Sequence, residues 1–260
     1  MKVVILCGGK GTRLREETEY RPKPMVPIGS RPILWHIMSI YAAHGHTDFI
    51  LCLGYKGEVI KDWFRNFHWM VSDVRLTIGH PEQVSFYTDM PERSWTVTMV
   101  DTGLETMTGA RIKRIEKYLD NDSEFLLTYG DGVGNVDIPA SIAYHRSLDK
   151  TLTLTGVRPP GRWGELQAHG GLVSAFSEKP QTSQGRINGG FFVAKRCLFD
   201  HLRDDPSLTF EREPLMSLAK AGQLGCFEHD GFWQPMDTYQ EYMLLNRLWD
   251  EGKAEWKIWR

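Results

Sequence analysis

Apolar residues occur in short runs that switch between two spacings along the chain. Lys2 to Leu6 is a β-branched run that stops at Gly8-Gly9-Lys10-Gly11-Thr12-Arg13, which predicts a buried strand opening into a tight loop. After Arg21-Pro22-Lys23-Pro24, Ile33, Leu34, Ile37, Ile40 and Tyr41 recur at helical spacing, and Gly45 is a natural stop. Phe49 to Leu53 repeats the strand pattern, leads into Gly54-Tyr55-Lys56-Gly57, and precedes a helix with Val59, Ile60, Trp63, Phe64 and Phe67 on one face. From Val74 to Val100 the runs are shorter and alternate, as expected of a β insertion or an added strand. A helix is expected around Arg111 to Leu119. The apolar strand Phe125 to Tyr129 follows and ends in Gly130-Asp131-Gly132, and further elements are expected at Ile138 to Arg146, Thr151 to Val157 and Thr238 to Trp249.

Strands alternating with helices, joined by gaps too long for hairpins, imply an α/β fold with right-handed crossovers, a mainly parallel twisted sheet and helices on both faces. Ligands bind beyond the C-terminal ends of such strands, where the Gly8 loop, the Gly54 loop and Asp131 all fall. No repeat or flexible linker interrupts the pattern, so residues 1–260 read as one domain with a β-rich insertion near 74–100.

Composition narrows the class. At 41% hydrophobic and 25% charged the chain is an ordinary globular protein, and a formal net charge of -2 with dispersed basic residues excludes a nucleic-acid footprint. No apolar run is long enough for a signal peptide or a membrane span, so a cytoplasmic protein is expected. Cys7, Cys52, Cys197 and Cys226 show no Cys-x-x-Cys spacing and read as reduced, packed thiols.

The glycines after the first strand let bare backbone N–H groups approach a phosphate. Their spacing fits neither the P-loop nor the dinucleotide fingerprint, which counts against a nicotinamide oxidoreductase. Arg13 offers a forked grip on phosphate, and Lys23 offers a point charge on a proline-stiffened loop. Asp131, flanked by glycines, suits a site role, whereas Asp237 alone reads as the N-cap of the last helix. Lys179 alone reads as a solvated turn lysine, and Arg111 as a surface residue on a helix's first turn.

Taken together, Leu6-Cys7-Gly8-Gly9-Lys10-Gly11-Thr12-Arg13-Leu14, Lys23-Pro24, Gly130-Asp131-Gly132, Asn188-Gly189-Gly190 and Gly231-Phe232-Trp233-Gln234-Pro235-Met236-Asp237 resemble the sugar-1-phosphate nucleotidyltransferase family across nearly the whole chain. Arg15-Glu16-Glu17-Thr18, where many relatives carry Pro-Leu-Thr, is closest to the cytidylyl-transferring branch. The resemblance implies a Rossmann-like sheet, CTP and glucose 1-phosphate as substrates, and magnesium held by Asp131 and Asp237. It implies catalytic roles for Arg13, Lys23, Asp131 and Asp237. Around the nucleotide it implies Leu6, Gly8, Gly9, Gly11, Thr12, Arg13, Lys23, Thr106, Arg111 and Gly130, and around the sugar phosphate Lys179, Asn188 and Gly189, with the sugar-binding part toward 151–260. A non-catalytic sugar-nucleotide sensor is the rival, although such a protein would be expected to lose Lys23 or an aspartate. Trp233, Trp249, Trp256 and Trp259 suggest apolar surface covered by a neighbouring subunit, hence a homo-oligomer.

Overall fold

A computed structural model describes residues 1–88, 90–159, 165–169, 172–177 and 185–259. Val3–Leu6 is buried along its whole length, as a central parallel strand must be. Asp48–Leu53 and Glu124–Tyr129 flank it in parallel, and Thr96–Asp101 extends the parallel set as an edge strand beyond Asp48–Leu53. The expected core of parallel strands is therefore present. On the other side direction reverses: Phe192–Lys195 runs antiparallel to Glu124–Tyr129, and Leu152–Val157 antiparallel to Phe192–Lys195. Leu224–His229 then pairs parallel with Leu152–Val157. The crossover argument does not reach this half, because no helix among the described residues lies between Leu152–Val157 and Phe192–Lys195.

Alternate residues of each core strand enter opposite apolar layers. Val3, Ile5 and Leu51 pack with Ile33, Leu34 and Ile37 of helix Ile33–Ala42 and with Leu245 of Tyr239–Asp250. Val4, Leu6, Ile50 and Cys52 face Ala110 and Ile112 of Thr108–Arg114 and Leu215 and Leu218 of Glu213–Lys220. Burying each Leu or Ile side chain is worth roughly 1.5–3 kcal/mol, so these two layers hold the sheet that carries the site loops.

Several boundaries differ from the sequence reading. The helix expected over Arg111 to Leu119 is α-helical only over Thr108–Arg114 and then tightens into a 3-10 turn at Glu116–Tyr118. The helix expected to run through Phe67 breaks at Asn66 into Gly57–Arg65 and Phe67–Val71. Within 74–100, Val74–Thr77 and His80–Phe86 form their own hairpin, while Thr96–Asp101 belongs to the main sheet. Cys7 and Cys52 are packed thiols, but Cys197 and Cys226 are exposed.

The tryptophans cover their own chain. Trp256 is fully buried, and Trp35, Trp249, Trp256 and Trp259 pack around the buried His36 ring. His36 Nε2 donates to the Ile28 carbonyl at 3.0 Å while Nδ1 accepts from Trp256 Nε1 at 3.3 Å, so the ring is held neutral in one tautomer.

Candidate active site

The Val3–Leu6 strand ends beneath a cavity of about 300 Å³. Leu6, Gly8, Gly9, Gly11, Thr12, Arg13, Lys23, Thr106, Arg111, Gly130 and Asp131 all line it, together with Thr108 and Tyr129. No acceptor among the described residues takes the amide protons of Gly8, Gly9, Lys10, Gly11 or Thr12, which leaves a row of donors at the cavity rim. Gly11 turns the loop at φ +62, a conformation that side chains disfavour.

Arg111 is buried beneath this loop, in contrast to the surface position its sequence context suggests. Its guanidinium donates to the carbonyls of Leu53 (2.9 Å), Gly8 (3.0 Å) and Leu104 (3.3 Å) and to Thr102 Oγ1 (2.7 Å). Burial lowers its pKa from the ordinary arginine value. The approach is close enough that a Cβ on Gly8 would lie 2.2 Å from the guanidinium. Arg111 therefore braces the glycine loop from below while facing the cavity.

Asp131 and Asp237 meet because of a short ribbon. Gly132–Gly134 pairs antiparallel with Trp233–Pro235, so Asp131, just before one strand, and Asp237, just after the other, emerge at the same end. The Met236 amide closes this end on the Asp131 carbonyl at 2.8 Å. Asp237 is not the helix N-cap that its sequence position suggests. Thr238 caps the helix in a reciprocal box with Glu241, whose carboxylate also accepts from the Asp237 amide at 2.8 Å.

Lys23–Met25 forms a 3-10 turn, capped by Pro22, that buries Lys23 and aims its ammonium between the two acids. Lys23 Nζ donates to Asp131 Oδ2 at 2.6 Å and to Asp237 Oδ1, and Arg13 Nη1 donates to Asp237 Oδ2 at 2.7 Å. Burial works against the Lys23 charge, yet the two carboxylates outweigh it and hold its pKa above the usual lysine value. The cluster offers a polyphosphate two cations and offers a hard cation two carboxylates. Among the described residues no group of three or more His, Cys, Asp or Glu side chains could hold a metal, so protein ligands would fill only part of such an ion's shell.

Asn188 and Gly189 are not among the residues that line this cavity, but Asn188 Nδ2 donates at 3.2 Å to Oη of Tyr129, which does line it, and Asn188 Oδ1 accepts from the Gly190 amide at 3.0 Å. The Gly189 carbonyl accepts from Trp233 Nε1 at 2.9 Å. Lys179 lies outside the described residues. Tyr129 and Thr102 were not assigned as site residues from the sequence; for Tyr129 the available signal was its place immediately before Gly130-Asp131, and the part of Thr102 shows in its bond to Arg111.

Residues 2–247 match the family described as Nucleotidyl transferase. Glucose-1-phosphate cytidylyltransferase of Salmonella typhimurium is 51% identical over 259 residues, with 100% of both chains covered. Mannose-1-phosphate guanyltransferase of Gibberella zeae is 28% identical over 98% of this chain and 67% of its own length. Among solved structures, HddC from Yersinia pseudotuberculosis superposes with a TM-score of 0.69 at 25% identity, covering 95% of this chain and 99% of that one.

Proposed function

Because the chain belongs to the nucleotidyl transferase family, we propose that it transfers a cytidylyl group from CTP to glucose 1-phosphate, giving CDP-glucose and pyrophosphate. The observation that carries this reading is the convergence of free loop amides, Lys23, Arg13 and Asp131 on one cavity, with Asp237 bonded to both cations, in a chain 51% identical over its full length to a protein of that name. In the transfer, a phosphate oxygen of the sugar phosphate attacks the α-phosphorus, the bond to the β-phosphate oxygen breaks, and the electron pair leaves with pyrophosphate.

The protein's share is positioning and charge. Amides of the Gly8–Thr12 loop receive triphosphate oxygens, and Arg13 and Lys23 neutralise charge as two anionic reactants are brought together. Fixing the reactants in line is worth ~7 kcal/mol or more of barrier. Asn188 and Gly189 would meet the hexose. Asp131 and Asp237 suit magnesium, since their oxygens already converge on a single cation, the Lys23 ammonium. Held by Asp131 and Asp237, magnesium would supply Lewis-acid neutralisation of phosphate charge.

A cytoplasmic location accords with four free cysteines and with the lack, among the described residues, of any helix long and apolar enough to cross a membrane. A homo-oligomer accords with Trp69, Met70, Ile78 and Tyr87, which leave large apolar side chains exposed. The direct test mixes the protein with CTP, glucose 1-phosphate and magnesium and follows pyrophosphate release and CDP-glucose. Turnover is expected with this pair above other combinations. Silence across the four triphosphates and a set of sugar phosphates would overturn the proposal in favour of a sensor.

A further inference from the structure

Glu211 lies in the turn just ahead of helix Glu213–Lys220, and it is absent from the site residues assigned above. Its exposed carboxylate nevertheless ties both walls of the cavity. Oε1 accepts from Tyr129 Oη at 2.7 Å, and Oε2 accepts from Thr108 Oγ1 at 2.6 Å. Thr108 in turn accepts from the Phe210 amide at 2.9 Å. The segment carrying Glu211 is itself anchored: the amides of Met107, Gly109 and Ala110 donate to carbonyls of Pro206 and Leu208.

These bonds have a direction. Tyr129 has one hydroxyl proton, and it goes to Glu211, so toward Asn188 the phenol oxygen can only accept. That requires Asn188 to present its NH2 group to Tyr129 and its carbonyl to the Gly190 amide, which leaves the second amide proton uncommitted among the described residues. Without Glu211 the Tyr129 proton is free to turn toward Asn188, where it would oppose the Nδ2 donor, so only the Gly190 amide would still hold Asn188 in this orientation. A carboxylate beside a pocket for two polyanions is electrostatically unfavourable, which argues that its role is to orient neighbours rather than to grip phosphate.

We propose that Glu211 is a positioning residue for the sugar half of the reaction, fixing the Tyr129 proton and through it the amide orientation with which Asn188 reads a hexose hydroxyl. This rests on the substrate reading above. The test compares wild type, Glu211→Ala, Glu211→Gln, Tyr129→Phe and the Glu211→Ala/Tyr129→Phe pair with CTP and glucose 1-phosphate, and with glucose 1-phosphate replaced by its epimers.

Glu211→Ala should raise KM for glucose 1-phosphate by about tenfold, leave KM for CTP within about twofold and blunt discrimination against the epimers. Tyr129→Phe should reproduce this pattern, the double variant should be no worse than either single one, and Glu211→Gln, which can still accept from Tyr129, should recover most of the sugar KM. Equal rises in both KM values, or additive effects in the pair, would refute the role. Should Glu211→Ala fail to fold, an unchanged sugar KM in Tyr129→Phe would refute it equally. Wild-type silence would instead refute the substrate reading and this inference with it, whereas an active wild type and an unaffected Glu211→Ala refute the inference alone.

Discussion

Lys23 occupies the position between two acids that a divalent cation would be expected to take. Replacing it with Ala leaves Asp131 and Asp237 facing each other without their shared counter-ion. Turnover should fall by on the order of 10²–10³, as when one preorganised charge is removed from a transition state. The same variant should bind Mn²⁺ more tightly than wild type in the absence of nucleotide, because no ammonium competes for the carboxylates; titration by electron paramagnetic resonance reads this directly, and weaker binding would contradict the arrangement. At this scale the sequence was informative where local context restricted a side chain. Prolines around Lys23 and glycines around Asp131 marked both positions. Asp237 was harder, because a helix start nearby offered a simpler use for it, and that use belongs to Thr238. Glu211 carried no local signal at all, since its partners lie 82 and 103 positions away.

Between elements, the glycine loop depends on what lies under it. A methyl group on Gly8 would meet a guanidinium that is already committed to the carbonyls of Leu53, Gly8 and Leu104. Gly8→Ala should therefore lower stability by ~1–3 kcal/mol, the usual cost of overpacking, and should weaken CTP binding further than the loss of fold explains. Chemical denaturation together with nucleotide titration separates the two effects. Strands with continuous apolar runs were legible because burial on both faces demands them. The ribbon Gly132–Gly134 with Trp233–Pro235 was not, since its segments are three residues long and their pairing is set by tertiary packing. The break in the helix after Arg114 was likewise hidden, because Ile115 and Leu119 keep an apolar spacing of four while the 3-10 turn takes only the three residues between them.

For the molecule as a whole, stability should depend on pH through His36. Burial lowers its pKa from 6.5 to about 4, and protonating Nδ1 would set two donors, His36 and Trp256, against each other. The unfolded chain binds the proton more readily than the folded one. The stabilisation from a neutral ring is therefore complete above pH 6.5 and is lost as pH falls from there toward 4, a loss on the order of 3 kcal/mol. Thermal melts of wild type and His36→Gln between pH 7 and pH 4 check this: the wild-type midpoint should fall more steeply, and parallel curves would remove His36 as the cause. Much of this scale was readable from sequence, because alternation of strands and helices dictates a layered parallel sheet. The antiparallel half was not, since an apolar run records burial and says nothing about direction.

Lys23 and Asp237 stand 214 positions apart and bond directly. A ribosome-bound chain that has made the glycine loop, the Pro-Lys-Pro turn and even Asp131 still holds an incomplete charge cluster. The last acid arrives only when the ribbon beside it closes, so catalytic competence should appear late and in a single step, and a proteolytic nick between Asp131 and Asp237 should silence the enzyme whenever the severed pieces drift apart.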